Sequence, residues 1–151
     1  MNKLNTLFLN EYTILEELCN EKYGVQGGGV EAYLGAMLAS SENKEKFSKW
    51  QEDYHALSKC MHIYSMITLN EKASRKPQCT KQDIAWVKKF ASRLERKSDS
   101  LTRLEKYESK QAKFKEKLDK VKPVARNVAI ACGVALAVNA LLSGKKDKDN
   151  K

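Results

Sequence analysis

The chain has 151 residues, of which 42% are hydrophobic and 31% are charged. This composition excludes disordered and collagen-like chains, and the length suits one domain with an extension. Glycine (7) and proline (2) are scarce, which disfavours an all-β fold with its many tight turns. The four cysteines are far apart and form no C-x-x-C pair, so we expect free thiols in a reducing cytosol and no disulfide framework.

The net charge of +9 is unevenly distributed along the chain. Residues 1–45 carry 3 Lys and 7 Glu, a net −4, whereas residues 46–100 have a net charge of +6. Residues 101–123 add +4 and residues 124–151 add +3. A basic body can attract nucleic acid or an anionic membrane surface. Because no arginine-rich run or aromatic ladder accompanies the charge, a solvated lysine-rich helix surface is the simpler interpretation.

Apolar residues at three- and four-residue spacing predict a first helix from about Asn5 to Lys22. Its apolar face consists of Leu4, Phe8, Tyr12, Leu15, Leu18 and Cys19. The glycine-rich residues 24–29 lack the lysine and the preceding strand of a phosphate-binding loop, so they are predicted to be a connector. A short second helix is predicted from Val30 to Ala39. Its apolar side comprises Val30, Tyr33, Leu34, Met37 and Leu38.

A largely aromatic face predicts a third helix from about Lys44 to Leu69. This aromatic face comprises Phe47, Trp50, Tyr54, Leu57, Met61 and Tyr64. A loop follows, and Thr80 with Asp83 then forms a variant capping box that starts a fourth helix. The apolar face of this helix comprises Ile84, Val87, Phe90, Ala91 and Leu94. Residues 97–100 predict a break or a cap.

From Leu101 onwards the pattern is a thin apolar stripe among many charges, which is typical of an exposed stalk helix or a coiled coil. The stripe comprises Leu101, Leu104, Tyr107, Phe114, Leu118 and Val121. Glu116 and Lys120 form an i,i+4 ion pair in the favoured order. Pro123 predicts a kink or a stop.

From Asn127 to Gly144 the chain has 18 residues without a charge. As a helix this segment would span about 27 Å, close to the roughly 30 Å hydrocarbon core of a bilayer. Lysine and arginine residues flank both ends and can reach lipid headgroups. A stripe of small residues, which allows close helix packing, comprises Ala125, Ala129, Gly133 and Ala137. The segment is rich in alanine and contains two asparagines, so a membrane anchor and a soluble helix packed on the bundle both remain open.

The residues that carry chemistry form no recognisable catalytic or metal-binding constellation. His55 and His62 are the only histidines, and their seven-residue spacing is too long for a shared metal ion on one helix. The cysteines and serines lack a nucleophile elbow, and no pair of carboxylates is placed for acid–base catalysis. We therefore expect no catalytic residue, no cofactor and no metal.

Two segments carry a resemblance to an uncharacterised family of small helical proteins from Firmicutes. They are Phe8-Leu9-Asn10-Glu11-Tyr12 and Gly29-Val30-Glu31-Ala32-Tyr33-Leu34. The resemblance includes Trp50 and a helix of the type T-x-x-D-I-x-W-[LV]-x-x-F. This helix is matched by Thr80, Asp83, Ile84, Trp86, Val87 and Phe90. The resemblance covers residues 7–101 and does not extend to the stalk or the apolar segment.

The chain also resembles the higher-eukaryote-and-prokaryote nucleotide-binding (HEPN) domains, in which an R-N-x-x-x-H sequence serves RNA cleavage. The best placement puts the arginine–asparagine pair at Tyr64-Ser65 and the histidine at Leu69, so none of the three is retained. No side chain there can shuttle a proton or stabilise a phosphorane. The resemblance therefore implies a non-catalytic member.

These patterns predict an all-α fold with a small bundle of four main helices over residues 1–100. A charged stalk helix (101–123), an apolar helix (124–144) and a basic polar tail (145–151) follow it. We expect a non-enzymatic helical interaction module in the bacterial cytoplasm or on the cytoplasmic face of the membrane, with residues 124–144 as a single-pass C-terminal anchor. The expected partners are the membrane, another protein or a second copy of the chain. The alternatives are a HEPN-like RNA-directed nuclease or toxin and a nucleic-acid binder whose affinity depends on salt.

Overall fold

The computed structural model describes residues 1–40, 44 and 46–125, and all regular structure in this part of the chain is helical. The helices are α1 (Lys3–Tyr23), α2 (Gly29–Leu38), α3 (Trp50–Leu69), α4 (Glu71–Ser74), α5 (Lys81–Glu95) and α6 (Ser100–Ala125). The predicted all-α class is confirmed, with four main helices followed by the long α6. The predicted apolar helix lies outside the described residues except for its first two positions, and the basic tail lies outside them entirely.

The chain divides into two compact units, Met1–Glu108 and Ser109–Lys151. Unit 1 holds α1 to α5 and the first part of α6. Unit 2 is described as far as residue 125, which is the second part of α6. The predicted boundaries at residues 100, 123 and 144 stay predictions.

The core of unit 1 is built around α1, which packs mainly against α5 and α2. Phe8 and Leu15 of α1, Tyr33 of α2 and Phe90 of α5 are completely buried. The rings of Tyr33 and Phe90 meet edge to face, with their centroids 5.5 Å apart. Burial of one large apolar side chain contributes about 1.5–3 kcal/mol, so this cluster supplies much of the stability of unit 1.

The predicted face of α1 omits Asn5, which is completely buried. Its amide nitrogen Nδ2 donates hydrogen bonds to the carbonyl oxygens of Ser74 (3.0 Å) and Lys76 (2.8 Å). Its Oδ1 accepts a hydrogen bond from the backbone N–H of Gln78 at 2.9 Å. A single side chain thus satisfies three backbone groups of the loop that leads to α5, which explains why a polar residue occupies the core.

The capping box that starts α5 is confirmed. Thr80 Oγ1 accepts a hydrogen bond from the N–H of Asp83 at 3.2 Å, and Asp83 Oδ2 accepts one from the N–H of Thr80 at 2.8 Å. Val87, Phe90 and Ala91 of the predicted face are buried. The short helix α4, which lies between α3 and this cap, was not predicted.

The third helix differs from its prediction in its start and in its buried face. It begins at Trp50 instead of Lys44. Phe47 lies before the helix and contacts Tyr107, with ring centroids 6.0 Å apart, and such tertiary contacts can override the local preference for helix. The buried face comprises Trp50, Asp53, Leu57, Cys60, Ile63 and Ile67. Tyr54 and Met61 are only partly buried, and Tyr64 is 38% exposed, so much of the predicted aromatic face lies at the edge of the core.

One smaller prediction is also wrong. Leu38 was placed on the buried side of α2 but is 67% exposed, because the last helical position is rotated by about 100° from the buried Met37. Pro123 does not stop the last helix at its own position, since α6 continues to Ala125. The other expected effect of Pro123, a kink, stays a prediction.

Candidate interaction surface

One stripe of α6 passes from a buried to an exposed environment. Leu101 and Leu104 are 4% and 1% exposed and belong to the core of unit 1. In unit 2 the same stripe continues with Phe114, Leu118 and Val121, which are 63%, 40% and 58% exposed. The stripe predicted from spacing therefore exists, and its second part is an uncovered apolar surface.

Gln111, Phe114, Leu118 and Val121 step by three, four and three residues along α6. We call these four residues the seam. At about 100° per residue they occupy a sector of roughly 80° of the helix circumference. This spacing is the a/d pattern of a coiled coil, in which two helices meet along a narrow apolar line.

Lysines border the seam on both sides. Lys110 and Lys117 lie about 60° and 80° from its centre in one direction, and Lys115 lies about 80° away in the other. Glu116 lies on the opposite face of α6, where its Oε1 is 2.6 Å from Nζ of Lys120. The described part of unit 2 therefore presents an apolar line with positive charge on both sides.

Ala125 is the last residue of α6. Ala129, Gly133 and Ala137, the other members of the predicted packing stripe, lie outside the described residues. No helix within residues 1–125 is both long and apolar enough to cross a membrane. The prediction for residues 124–144 thus stays a prediction.

The glycine-rich connector is not open to a phosphate, because a carboxylate already occupies the N-terminus of α2. Glu16 of α1 accepts hydrogen bonds from the backbone N–H of Gly29 at 2.8 Å and of Val30 at 3.1 Å. Gly29 is required by close helix packing, since a Cβ atom there would lie 2.4 Å from the backbone nitrogen of Asn20. The prediction of a connector is therefore confirmed. Helix packing explains the glycine at residue 29, and Glu16 occupies the backbone N–H groups that a phosphate would need.

The two histidines lie on the surface of α3, and the cysteines of the described chain lie in the core. His55 and His62 are both exposed on α3, and no three metal-ligating side chains come together within the described ranges. Cys19, Cys60 and Cys79 are free and buried, whereas Cys132 lies outside the described residues. Burial raises the pKa of the Cys19 and Cys60 thiols to about 12, so neither forms the nucleophilic thiolate at neutral pH.

Two of the three positions that align with the HEPN motif have structural roles. Tyr64 stacks on Tyr12 with ring centroids 4.5 Å apart, and Ser65 Oγ donates a hydrogen bond to the carbonyl oxygen of Met61. Leu69 is 85% exposed. These three side chains offer no group that could act as a general base near neutral pH.

Sequence reasoning missed a buried polar cluster at the start of α6. Asp53, 1% exposed, accepts hydrogen bonds from both terminal nitrogens of Arg93 (3.0 and 2.6 Å) and from Ser100 Oγ (2.5 Å). Beside it, Tyr33 Oη donates to Asp99 Oδ1 at 2.5 Å, and Asp99 also accepts from the N–H of Thr102. The spacing of apolar residues cannot reveal such a cluster. It consists of an acidic residue at a core position of one helix and a basic residue on another helix, and nothing local in the sequence connects the two.

The outer face of α5 forms a second charged surface. Lys81, Lys88, Lys89 and Arg96 are all exposed and recur at intervals of seven and eight residues, so they share one side of the helix. Ser92, which lies between Lys89 and Arg96 in the sequence, is half-buried. Lys81, Lys88, Lys89 and Arg96 therefore form a basic row on unit 1.

A family model matches residues 6–148, and its description is a family of unknown function, DUF6548. The chain belongs to DUF6548. Comparison with curated proteins and with solved structures gives no match.

The DUF6548 match confirms that the chain belongs to an uncharacterised family. It also extends beyond residues 7–101, to which the resemblance drawn from motifs is confined. The stalk and the whole uncharged segment 127–144 fall within the matched range. The family model therefore includes both segments. The origin of the chain in Firmicutes and its kinship with HEPN domains stay predictions.

Proposed function

We propose that this DUF6548 member is a non-enzymatic interaction module that binds a partner helix through the seam of α6. The observation that carries the proposal is the exposure of Phe114, Leu118 and Val121 along one line of the helix. Burial of a fully exposed side chain of this size contributes about 1.5–3 kcal/mol, and covering these partly exposed side chains would contribute about half of that for each. A partner that covers the seam therefore gains a substantial free energy.

The width of the seam favours a helix over a lipid surface as its occupant. An amphipathic helix that faces a core or lies in a membrane interface has an apolar sector of 100° or more, whereas a coiled-coil line is narrower. The seam spans roughly 80°, and Gln111 at its edge is polar. We therefore assign the seam to helix–helix binding.

The environment of the titratable groups supports a function without catalysis. Burial keeps the Cys19 and Cys60 thiols protonated, and the carboxylates of Asp53 and Asp99 are inaccessible to a substrate. Kinship with HEPN domains is compatible with this function if the chain is a non-catalytic member, as Tyr64 and Leu69 at the motif positions suggest.

The second part of the proposal is a tether formed by residues 124–144. The support is the uncharged stretch with basic residues at both ends, which suits a C-terminal anchor with unit 1 on the cytoplasmic side. In cell fractionation the full-length chain should stay in the membrane pellet at high salt and be released by detergent. A variant without residues 124–151 should be soluble, and a control without residues 145–151 should remain in the pellet. A full-length chain that is soluble without detergent would contradict the tether.

The seam is tested by photo-crosslinking in cells. The full-length chain with a photoreactive phenylalanine analogue at Phe114 should give one discrete adduct, and the same analogue at Ala112, about 160° away on α6, should give none. Leu118→Ser should abolish the adduct, whereas Ala112→Ser should leave it. Equal adducts from both faces would show that the seam is not a binding surface.

The row of positive charge on α5 favours a second candidate function, the binding of nucleic acid. Lys81, Lys88, Lys89 and Arg96 could contact successive phosphates, and the affinity would then fall steeply with salt. Anisotropy titrations of a 20-nucleotide RNA should show this dependence, and Lys88→Glu with Lys89→Glu should remove the binding. A missing or salt-insensitive signal would exclude this function.

A further inference from the structure

The charges beside the seam restrict which helix can bind to it. We infer that the partner of α6 is a helix with acidic residues on both sides of its own apolar line, and that a second copy of α6 is not the partner. The inference rests on the proposed function, because it identifies the chemistry of the partner at the same surface.

The heptad register follows from the seam. Gln111 and Leu118 occupy a positions, and Phe114 and Val121 occupy d positions. In this register Lys110 and Lys117 are at g and Lys115 is at e. Residue 122, the next e position, is also lysine in the sequence. All four positions that flank the seam between residues 110 and 122 are therefore lysine.

This arrangement opposes pairing between two copies of α6. In a parallel dimer each g residue faces the e residue five positions later on the other helix, so Lys110 would face Lys115 of the second copy and Lys117 would face Lys122. In an antiparallel dimer g faces g and e faces e, and both kinds of pair would again be lysine with lysine. Both orientations bring like charges together on both sides of the seam, which selects against them.

The acidic residues of this part of α6 do not offset the repulsion. Glu116 lies about 180° from the centre of the seam, where it pairs with Lys120, and Asp119 lies about 120° away. Within residues 110–122 a second copy would therefore present no carboxylate to the flanking lysines. A partner with glutamate or aspartate at e and g would place opposite charges at each contact and would leave the lysine stems packed along the apolar line.

The experiment uses the full-length chain in a mild non-ionic detergent and two synthetic helical peptides. Both peptides carry leucine at a and d, whereas the e and g positions are glutamate in one and lysine in the other. The acidic peptide should bind at least tenfold more tightly than the basic one, and its affinity should fall as salt increases. Lys115→Glu with Lys117→Glu should abolish this preference, because two of the four flanking charges are then negative. The control Lys113→Glu with Lys120→Glu makes the same change in net charge away from the seam and should preserve the preference.

The outcomes separate the inference from the proposed function. If both peptides bind equally and Phe114→Ser abolishes binding of both, helix binding stands and the acidic partner is wrong. If the chain alone sediments as a dimer that Phe114→Ser dissociates, the occupant is a second copy and the inference is overturned. If neither peptide binds, both proposals fail. Loss of the preference in the seam-flanking pair alone, together with a monomeric chain, supports the inference.

Discussion

At the scale of single residues, the stability of unit 1 depends on polar side chains that the core has enclosed. Asp53 lies on the buried side of α3, and its carboxylate is neutralised by Arg93 of α5 and bonded by Ser100 of α6. Three helices therefore meet at one carboxylate. Such a pair holds its partners in place because each charge would be costly to leave buried alone.

Asp53→Ala should lower the free energy of unfolding by about 3–5 kcal/mol, because it leaves the Arg93 guanidinium largely buried without its carboxylate. Glu52→Ala, at the exposed neighbouring position, should change it by less than about 0.5 kcal/mol. Urea unfolding followed by circular dichroism measures both values. Equal effects of the two substitutions would mean that the pair contributes little to stability.

Asp83 gives unit 1 a dependence on pH. Burial opposes ionisation of this carboxyl, but hydrogen bonds from Lys59 Nζ and from Thr80 outweigh burial and hold its pKa below the ordinary value. A carboxyl with a lowered pKa contributes stability above its unfolded pKa of about 4, and this contribution is lost as the pH falls through the folded pKa.

Asp83→Asn should therefore destabilise the chain at pH 6 to 7, and its difference from the wild type should shrink as the pH falls from about 4 towards 2. The exposed Glu95→Gln on the same helix should change stability by less than about 0.5 kcal/mol at pH 7. Urea titrations at several pH values provide the test. A difference that stays constant down to pH 2 would contradict the lowered pKa.

The role of Asp83 was predicted from the sequence, whereas the roles of Asn5 and Asp53 were not, and the difference has a physical reason. Asp83 was found because its partner Thr80 is three positions away and the capping box is a local signal. Asn5 and Asp53 were missed because their partners lie about 70 and 40 residues along the chain. Apolar spacing assigns polar residues to the surface, so a polar group satisfied by a distant partner is invisible to it.

At the scale of elements, the regularly spaced apolar residues of α6 are buried in one part of the helix and exposed in another. Leu104 completes the core of unit 1, whereas Leu118, two heptads later, is 40% exposed in unit 2. The periodicity of the stripe was predictable, since it depends only on side-chain type and spacing. Which part of the stripe is covered was not, because that depends on where α1, α3 and α5 end.

Leu104→Ala should lower the free energy of unfolding by about 2–5 kcal/mol, the range for truncation of a buried leucine. Leu118→Ala on the same helix should lower it by less than about 1 kcal/mol, because its side chain has fewer neighbours in the isolated chain. Chemical denaturation of the two variants compares them directly. A cost at Leu118 that matches the cost at Leu104 would mean that the chain itself covers the seam.

The beginning of α3 marks a second limit at this scale. Its aromatic spacing predicted a helix from Lys44, but Phe47 turns towards Tyr107 and is also 5.6 Å from the guanidinium of Arg103. Tertiary contacts of this kind can override the local preference for helix, and spacing along the chain does not reveal them.

At the scale of the whole molecule, the core of the described chain is complete within unit 1. Its last buried apolar residue is Leu104, and the polar cluster that fixes the start of α6 ends at Thr102. Residues 109–125 continue α6, and residues 109–121, which carry the seam, are exposed. Stability and proposed binding are thus assigned to different segments, which allows each to be removed separately.

A chain of residues 1–108 should therefore fold, with a free energy of unfolding within about 1 kcal/mol of the full-length value, because it retains every core side chain described above. It should not bind the acidic helical peptide, since it lacks the seam. A chain of residues 1–98 loses Asp99, Ser100, Leu101 and Leu104. It should not fold, because the burial of each leucine is worth about 1.5–3 kcal/mol and Asp53 and Tyr33 lose hydrogen-bond partners as well. Circular dichroism and urea unfolding compare the three chains, and a 1–108 chain that fails to fold would show that unit 1 needs the rest of α6 for its stability.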